Sequence, residues 1–167
     1  MHSFDLRISV RQFPLPRSRL QNFLRQALAA LSFELGWSFE LALSCWICGD
    51  AAMRRLNRQY RGLDRPTDVL SFPQQELYNG RFVPSRKKPP EVPLLLGDLV
   101  IDWPCAVRQA WRYGVTSAEE LERLIVHGTV HLAGFDHERS VQEEAVMEKW
   151  EKRVLYRLKK EGFRLRK

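Results

Sequence analysis

The sequence predicts a single α+β domain, with an α/β arrangement as the alternative, in which about five helices pack on a mixed four-stranded sheet. Three observations support this prediction. Four segments have the apolar pattern of strands, five have helical spacing, and the two kinds interleave along the chain. No internal repeat divides the chain. A length of 167 residues, 44% of them hydrophobic, suits one substantial core, so residues 1–167 are treated as one domain.

The first three elements are predicted from clear periodicities. Apolar and polar residues alternate from Phe4 to Val10, which indicates a half-buried strand. Leucine and alanine at helical spacing then predict a core helix with Ser18 as its N-cap and Gly36 as its end. Alternation returns from Phe39 to Ile47 and predicts a second strand.

A second helix is predicted to follow directly, with Asp50 as its N-cap and Gly62 as its end. Its arginines are spread around its surface. The side chains predicted to face the core are Met53, Leu56 and Tyr60.

The middle of the chain is predicted to hold two strands separated by a loop. Pro73 ends a short strand from Val69 to Phe72, which marks it as an edge strand. Residues 74–93 are rich in proline and basic side chains and are predicted to be one long loop. The nearly continuous apolar run from Leu94 to Ile101 predicts a central strand.

Three helices are predicted to complete the domain. Pro104 is suited to the first turn of a helix that ends at Gly114. Capping boxes at Ser117 and Ser140 predict the starts of the two helices after it.

Composition restricts the location and the partners. No apolar run approaches the roughly 18 residues that span a bilayer, so we expect a cytoplasmic protein without a membrane partner. Cys45 and Cys48 are predicted to be core thiols, because residues three apart on a strand face opposite sides; a redox or zinc pair is the alternative. The formal net charge is +7, concentrated in residues 53–65 and 151–167, which favours an anionic partner such as nucleic acid over a merely solvated basic surface.

The segment HGTVHLAGFDH, residues 127–137, contains three of the four histidines. On a helix, His127 and His131 would project from one face, one turn apart. Gly134 can reverse the chain through a left-handed conformation and bring His137 back to them. Three imidazoles and a water make the open tetrahedral site of a catalytic zinc, so these histidines are the predicted ligands of one Zn²⁺ ion.

The histidine segment has competing interpretations. The histidines could share a helix by accident, or the metal could only hold the fold together. The spacing also resembles the metzincin proteases, but Gly128 replaces the glutamate that acts as their general base, which removes the proton acceptor for proteolysis. We predict a zincin-like metal helix buried along Leu124, Val130 and Leu132.

Two acids near the motifs have two interpretations each. Asp98, in the middle of the central strand, is either a structural hydrogen-bond acceptor or a group that orients the site. Asp136 is either a turn residue or a group that orients a metal ligand or accepts a proton. Ser71 and Phe72 are predicted to belong to one wall of a substrate groove.

Three stretches resemble the bacterial YbeY endoribonucleases, the rRNA maturation factors: LNRQYRGLDRPTDVLSF (56–72), LGDLVI (96–101) and HGTVHLAGFDH (127–137). The resemblance implies that the three histidines bind zinc and that Arg61 is the functional arginine beside the metal. It further implies cleavage of single-stranded RNA, maturation of the 3′ end of 16S rRNA, and a part in ribosome quality control. Ribosomal RNA and small-subunit assembly proteins are the implied partners.

The chemistry of the residues agrees with that implication. Charge accumulates on phosphate oxygens during phosphodiester cleavage, and a metal ion together with a guanidinium can stabilise it. The alternatives are a zinc-stabilised RNA-binding assembly factor without catalysis and, less favoured, a metalloprotease-like hydrolase.

Overall fold

The computed structural model describes residues 2–83, 93–136 and 140–165. The described part contains five helices: α1 (Arg17–Leu35), α2 (Asp50–Arg61), α3 (Trp103–Tyr113), α4 (Ser117–Leu132) and α5 (Val141–Lys160). Its strands are β1 (Ser3–Ile8), β2 (Leu41–Cys48), β3 (Val69–Pro73), β4 (Leu77–Tyr78), β5 (Arg81–Phe82) and β6 (Leu94–Asp102).

Four strands form one mixed sheet in the order β1-β2-β6-β3. The first three run parallel, and β3 pairs antiparallel with β6 at the edge. The α+β prediction is therefore confirmed, with the apolar run in the centre and the proline-ended strand at the edge. The predicted long loop is partly wrong, because β4 and β5 form a hairpin within it; residues 84–92 lie outside the described residues.

Helices cover the two faces of the sheet unequally. Side chains of α1, α4 and α5 form the main core with one face, and a smaller cluster beneath α2 includes Met53, Leu70 and Val100. Cys45 belongs to the main core and Cys48 to the smaller cluster, so they face opposite sides as predicted. The predicted core thiols are confirmed by their burial, which raises the pKa of both to about 12.

Several predicted helix starts are wrong by a residue or more. Helix α1 begins at Arg17 after Pro16, whose carbonyl accepts the first helical bonds, and Ser18 is inside the helix. Thr116 and Glu119, not Ser117, form the capping box of α4. Adjacent hydroxyl residues offer equivalent caps, so local sequence does not select between them. The predicted cap at Ser140 is confirmed, since its hydroxyl accepts from the Glu143 N–H.

The start of α2 was also misassigned. Gly49 occupies the cap position and Asp50 is the first helical residue, without a capping bond from its side chain. The Asp50 carboxylate instead accepts from the Arg108 guanidinium at 3.1 Å, and this bond lowers the pKa of Asp50. The Asp50 carboxylate therefore bonds to Arg108, 58 residues away in sequence, instead of capping its own helix.

The inward face of α2 differs from the predicted one. Met53 is fully buried and Leu56 half-buried, but Tyr60 is 57% exposed. Asn57 is buried in its place and donates from Nδ2 to the Arg65 carbonyl at 2.7 Å. Nothing in hydrophobic periodicity indicates that an amide will be buried to hold the following loop.

The helices of the described part are also too short or too polar to cross a membrane. No helix there is both long and apolar enough to span a bilayer.

Candidate active site

Helices α2 and α4 and the edge strand β3 surround a cavity of about 380 Å³, here called the histidine cleft. It brings together Arg61, Ser71, His127 and His131, which lie up to 70 residues apart in sequence. Arg61 is the last residue of α2 and is exposed, whereas both histidines are half-buried. The cleft also contains Cys105 and Gln109 of α3 and the loop residues 65–68.

Helix α4 lies directly against the sheet because it has no side chain at Gly128. A Cβ there would stand 2.1 Å from Leu99 Cδ1 and 3.2 Å from Ser71 Oγ. Leu124, Val130 and Leu132 are fully buried, which confirms the predicted packing face. Residue 128 therefore cannot act as the metzincin general base. Glycine has no carboxylate, and the close packing of α4 against the sheet leaves no space for a glutamate side chain.

We expect Gly128→Ala to lower the free energy of unfolding. Overpacking costs about 1–3 kcal/mol and outweighs the roughly 1 kcal/mol that alanine gains over glycine in a helix. Urea denaturation measures the change. Adding Leu99→Val, which removes the clashing Cδ1, should make the two losses less than additive. If the losses of unfolding free energy from the two substitutions simply add, the contact with Leu99 is not what disfavours a side chain at residue 128.

His127 is held by an acid that the sequence pattern did not reveal. Its Nδ1 lies 2.9 Å from Glu151 Oε1 of α5, and both side chains are largely buried. A carboxylate on one ring nitrogen fixes the orientation and tautomer of an imidazole and directs the other nitrogen to its ligand. Glu151 is 24 residues away on another helix, and no spacing rule identifies such a partner.

Gly134 has the left-handed conformation that was predicted for the turn after α4. Gly134 has φ +88°, and its N–H donates to the His131 carbonyl at 2.9 Å. The β4–β5 hairpin supports the turn, because the N–H groups of Asn79 and Gly80 donate to the Gly134 and Ala133 carbonyls, each at 3.0 Å. Asp136 follows the turn and is half-buried. His137, the third predicted ligand, lies outside the described residues, so its position stays a prediction.

Asp68 is a second residue of the cleft that the sequence pattern did not identify. Its carboxylate accepts from the Val69 N–H at 2.9 Å and from Gln109 Nε2 at 3.1 Å, and Arg123 lies 3.7 Å away. These contacts tie the loop before β3 to α3 and α4. Asp68 therefore lines the cleft, and its carboxylate is satisfied by hydrogen bonds and by the nearby Arg123 guanidinium.

The structure separates two residues that the sequence grouped with this site. Consecutive residues of a strand face opposite sides, so Ser71 lines the histidine cleft while Phe72 lines another cavity across the sheet. Asp98 also lies in that second cavity, where Gln74 Nε2 donates to it at 3.2 Å. The structure thus places Asp98 as a hydrogen-bond acceptor away from the histidines.

The buried acid of the central strand is Asp102, not Asp98. Asp102 is 0% exposed and caps α3 by accepting from the Cys105 N–H at 3.3 Å. Burial raises the pKa of this carboxyl to about 7. The apolar pattern of β6 did not identify Asp102 as buried, because an aspartate between a strand and a helix is usually an exposed helix N-cap.

Known proteins similar to this chain agree on one family. The family model described as Endoribonuclease YbeY matches residues 6–159. A curated Endoribonuclease YbeY of Roseiflexus sp. (strain RS-1) is 47% identical over 109 residues, 65% of each chain and so just under two thirds. Another, from Aquifex aeolicus (strain VF5), is 37% identical over 153 residues, covering 92% of this chain and 91% of the relative.

A solved structure supports the fold independently. A protein of Thermotoga maritima, determined in solution, superposes with a TM-score of 0.56 at 21% identity and covers 95% of this chain and 93% of its own. At that identity the likeness concerns the fold alone. The match of the family model over residues 6–159 and the Aquifex aeolicus relative show that the chain belongs to the YbeY endoribonuclease family.

Proposed function

We propose that this chain is a zinc-dependent endoribonuclease specific for single-stranded RNA, which acts in the cytoplasm on ribosomal RNA. Its family makes it an RNA-cleaving hydrolase. The finer assignment includes 3′-end maturation of 16S rRNA, ribosome quality control and contact with small-subunit assembly proteins. The observation that carries it is the meeting of His127, His131 and Arg61 in one cleft.

The donor set fits a zinc ion. His127 and His131 line the same cavity, and His137 follows in sequence three residues after Gly134, which has the left-handed conformation of a helix-ending turn. These three imidazoles would hold the ion, with Glu151 fixing the ring of His127 through Nδ1. When bound, zinc supplies a Lewis acid for phosphate oxygens and lowers the pKa of its water to about 7.

Arg61 is suited to hold the phosphate. Arg61 lines the cleft at the end of α2, and a guanidinium can engage two non-bridging oxygens in a bidentate fork. Fixed positive charge beside those oxygens stabilises the charge that develops on them during cleavage. Ser71 of β3 also lines the cleft and adds a hydroxyl that can orient the sugar-phosphate backbone.

Some of the basic side chains form ion pairs within the protein and so contribute to the fold rather than to RNA binding. Arg153 and Arg157 of α5 both bond to Glu34 of α1 at distances of 2.7–2.8 Å. On α2, Arg54 pairs with Asp64, whereas Arg55 and Arg58 are exposed on the surface of the helix. The α2 surface beside the cleft is therefore the better candidate for attracting the RNA backbone, with an affinity that falls steeply as salt rises.

Glu151→Gln should weaken zinc binding by about 10- to 100-fold, the usual consequence of losing a carboxylate behind a metal-bound histidine. Cleavage at limiting zinc should fall accordingly and recover when zinc is in excess. Competition with a fluorescent chelator measures the affinity. Glu148→Gln is the matched control, since Glu148 lies on the same helix and bonds only to the exposed Lys152 in the described contacts. Equal zinc affinity in both variants would remove Glu151 from this role.

The competing function is an RNA-binding assembly factor in which zinc is structural. The core of this domain includes fully buried residues of four helices and the sheet, so we expect the fold to survive without metal. A structural zinc contributes on the order of 10 kcal/mol in small zinc domains, and its removal would unfold such a protein.

One experiment separates these functions. The purified chain is incubated with single-stranded RNA, duplex RNA and a peptide, with zinc or with a chelator, while circular dichroism reports the fold. We expect cleavage of single-stranded RNA alone, lost with the chelator at unchanged circular dichroism. Unfolding by the chelator would favour the structural role, and peptide hydrolysis would favour the protease.

A further inference from the structure

A second cavity, of about 480 Å³, lies on the sheet face opposite the main core and is here called the sheet cavity. Helix α2 covers only part of this face, above Cys48, Leu70 and Val100. Beside the covered part, the strand register aligns a second row across all four strands. From one edge to the other this row consists of Asp5, Ser44, Asp98 and Phe72.

Three aromatic residues line this cavity, Trp46, Tyr60 and Phe72. Trp46 carries the Arg7 guanidinium over its ring at 4.5 Å, and its indole N–H donates to Ser9 Oγ at 2.8 Å. Tyr60 packs edge-on against Phe72 with ring centroids 4.9 Å apart. Tyr60 remains 57% exposed, so an apolar and planar surface faces solvent where a core residue was predicted.

The polar groups of the cavity suit a neutral ligand with amino groups. Gln74 donates to the Asp98 carboxylate at 3.2 Å, and Asp98 is half-buried and lines the same cavity as the aromatic rings. Asp5 and Asp98 outnumber Arg7 among the charged lining residues, which disfavours a phosphate. A carboxylate that can accept N–H bonds between stacking surfaces is the arrangement that recognises a nucleobase edge.

The sheet cavity also adjoins the histidine cleft. Tyr60 and Arg61 are consecutive at the end of α2, and Ser71 and Phe72 are consecutive on β3; in each pair one residue lines the cleft and the other the sheet cavity. Only the edge strand and the end of α2 therefore separate the two. A strand whose phosphate lies at Arg61 can pass over this rim and place a neighbouring base on the far side.

We propose that the sheet cavity binds one base of the single-stranded RNA beside the cleavage site and prefers bases with an exocyclic amino group. This inference rests on the proposed function for its RNA substrate. Tyr60 and Phe72 supply the stacking surfaces, and Trp46, which carries the Arg7 guanidinium over its ring, borders the site. Asp98 accepts from the amino group, most favourably from the paired N1–H and N2–H₂ of guanine, while uracil offers a single N–H.

The first test uses free nucleotides and does not depend on cleavage. GMP, AMP, CMP and UMP are titrated into the full chain, and the indole N–H resonance of Trp46 is followed by NMR. GMP should shift it at lower concentration than UMP, while the exposed Trp111 stays unchanged. Tyr60→Ala should weaken GMP binding roughly 5- to 150-fold, the range expected for one lost base stack. Tyr156→Ala, an exposed tyrosine on α5, should have no effect.

The second test uses single-stranded RNAs that differ at one position beside the cut. Asp98→Asn should reduce the preference for guanine over uracil at that position, measured as the ratio of the cleavage rates of the two RNAs. Absence of any Trp46 shift, or an unchanged base preference in Asp98→Asn and Tyr60→Ala, overturns the proposal. Nucleotide binding at Trp46 in a protein that cleaves no RNA would instead overturn the proposed function and keep the base site.

Discussion

His131→Ala is expected to lower the rate of RNA cleavage at least about a thousandfold without unfolding the protein. The side chain lines the histidine cleft and is half-buried, whereas the core residues Leu124, Val130 and Leu132 of the same helix stay in place. Loss of one of three imidazoles should abolish tight zinc binding, and metal stabilisation of developing charge amounts to several kcal/mol.

The measurements for this variant are zinc content by mass spectrometry, thermal unfolding and the single-turnover cleavage rate. His2→Ala is the matched control, because His2 is the remaining histidine and only accepts from the Leu41 N–H in the described contacts. We expect the control to keep its zinc and its activity. A His131→Ala protein that binds zinc and cuts RNA at the wild-type rate would refute the assignment of this ligand.

Arg61→Ala is expected to slow cleavage by about 100- to 1,000-fold at saturating RNA, the typical effect of removing one donor aimed at a developing oxyanion. Zinc content should not change, because Arg61 is on α2, whereas His127 and His131 are on α4. Arg61→Lys should recover little of the rate, since an ammonium group cannot reproduce the bidentate fork.

Arg58→Ala provides the comparison for Arg61. Both residues are exposed arginines in the last turn of α2, but only Arg61 lines the histidine cleft. Single-turnover rates and binding affinities at several salt concentrations distinguish their roles. Arg58→Ala should alter only salt-dependent binding. Equal losses of cleavage rate in both variants would mean that Arg61 acts through general charge alone.

The elements that were correctly predicted from the sequence are those whose signal is local. Helix α4 was recognised because two histidines, an apolar stripe and Gly134 all agree within one segment. Strand β6 was placed centrally because both of its faces are apolar. Helix starts were predicted less well, since capping depends on which of several adjacent polar side chains the tertiary structure leaves available, as the Asp50 bond to Arg108 illustrates.

The candidate site was predictable in its motif residues but not in their supporting partners. His127, His131 and Arg61 were identified from spacing and resemblance, and they share one cavity. Glu151 and Gln109 contact site residues across 24 and 41 positions of sequence, distances over which periodicity carries no information. Asp98 had two interpretations, and the structure places it as a hydrogen-bond acceptor in the second cavity, because consecutive residues of β6 alternate between the two faces of the sheet.

The hairpin bonds at the end of α4 have a thermodynamic consequence. Helix α4 cannot lengthen past Ala133 without breaking the hydrogen bonds from Asn79 and Gly80, so the winding of the chain between His131 and Asp136 is fixed by a distant segment. By thermodynamic linkage, an ion or nucleotide that binds more tightly when the turn at Gly134 is formed must also stabilise the β4–β5 hairpin. Substitutions at the hairpin tip would then alter ligand affinity from a place that touches no ligand.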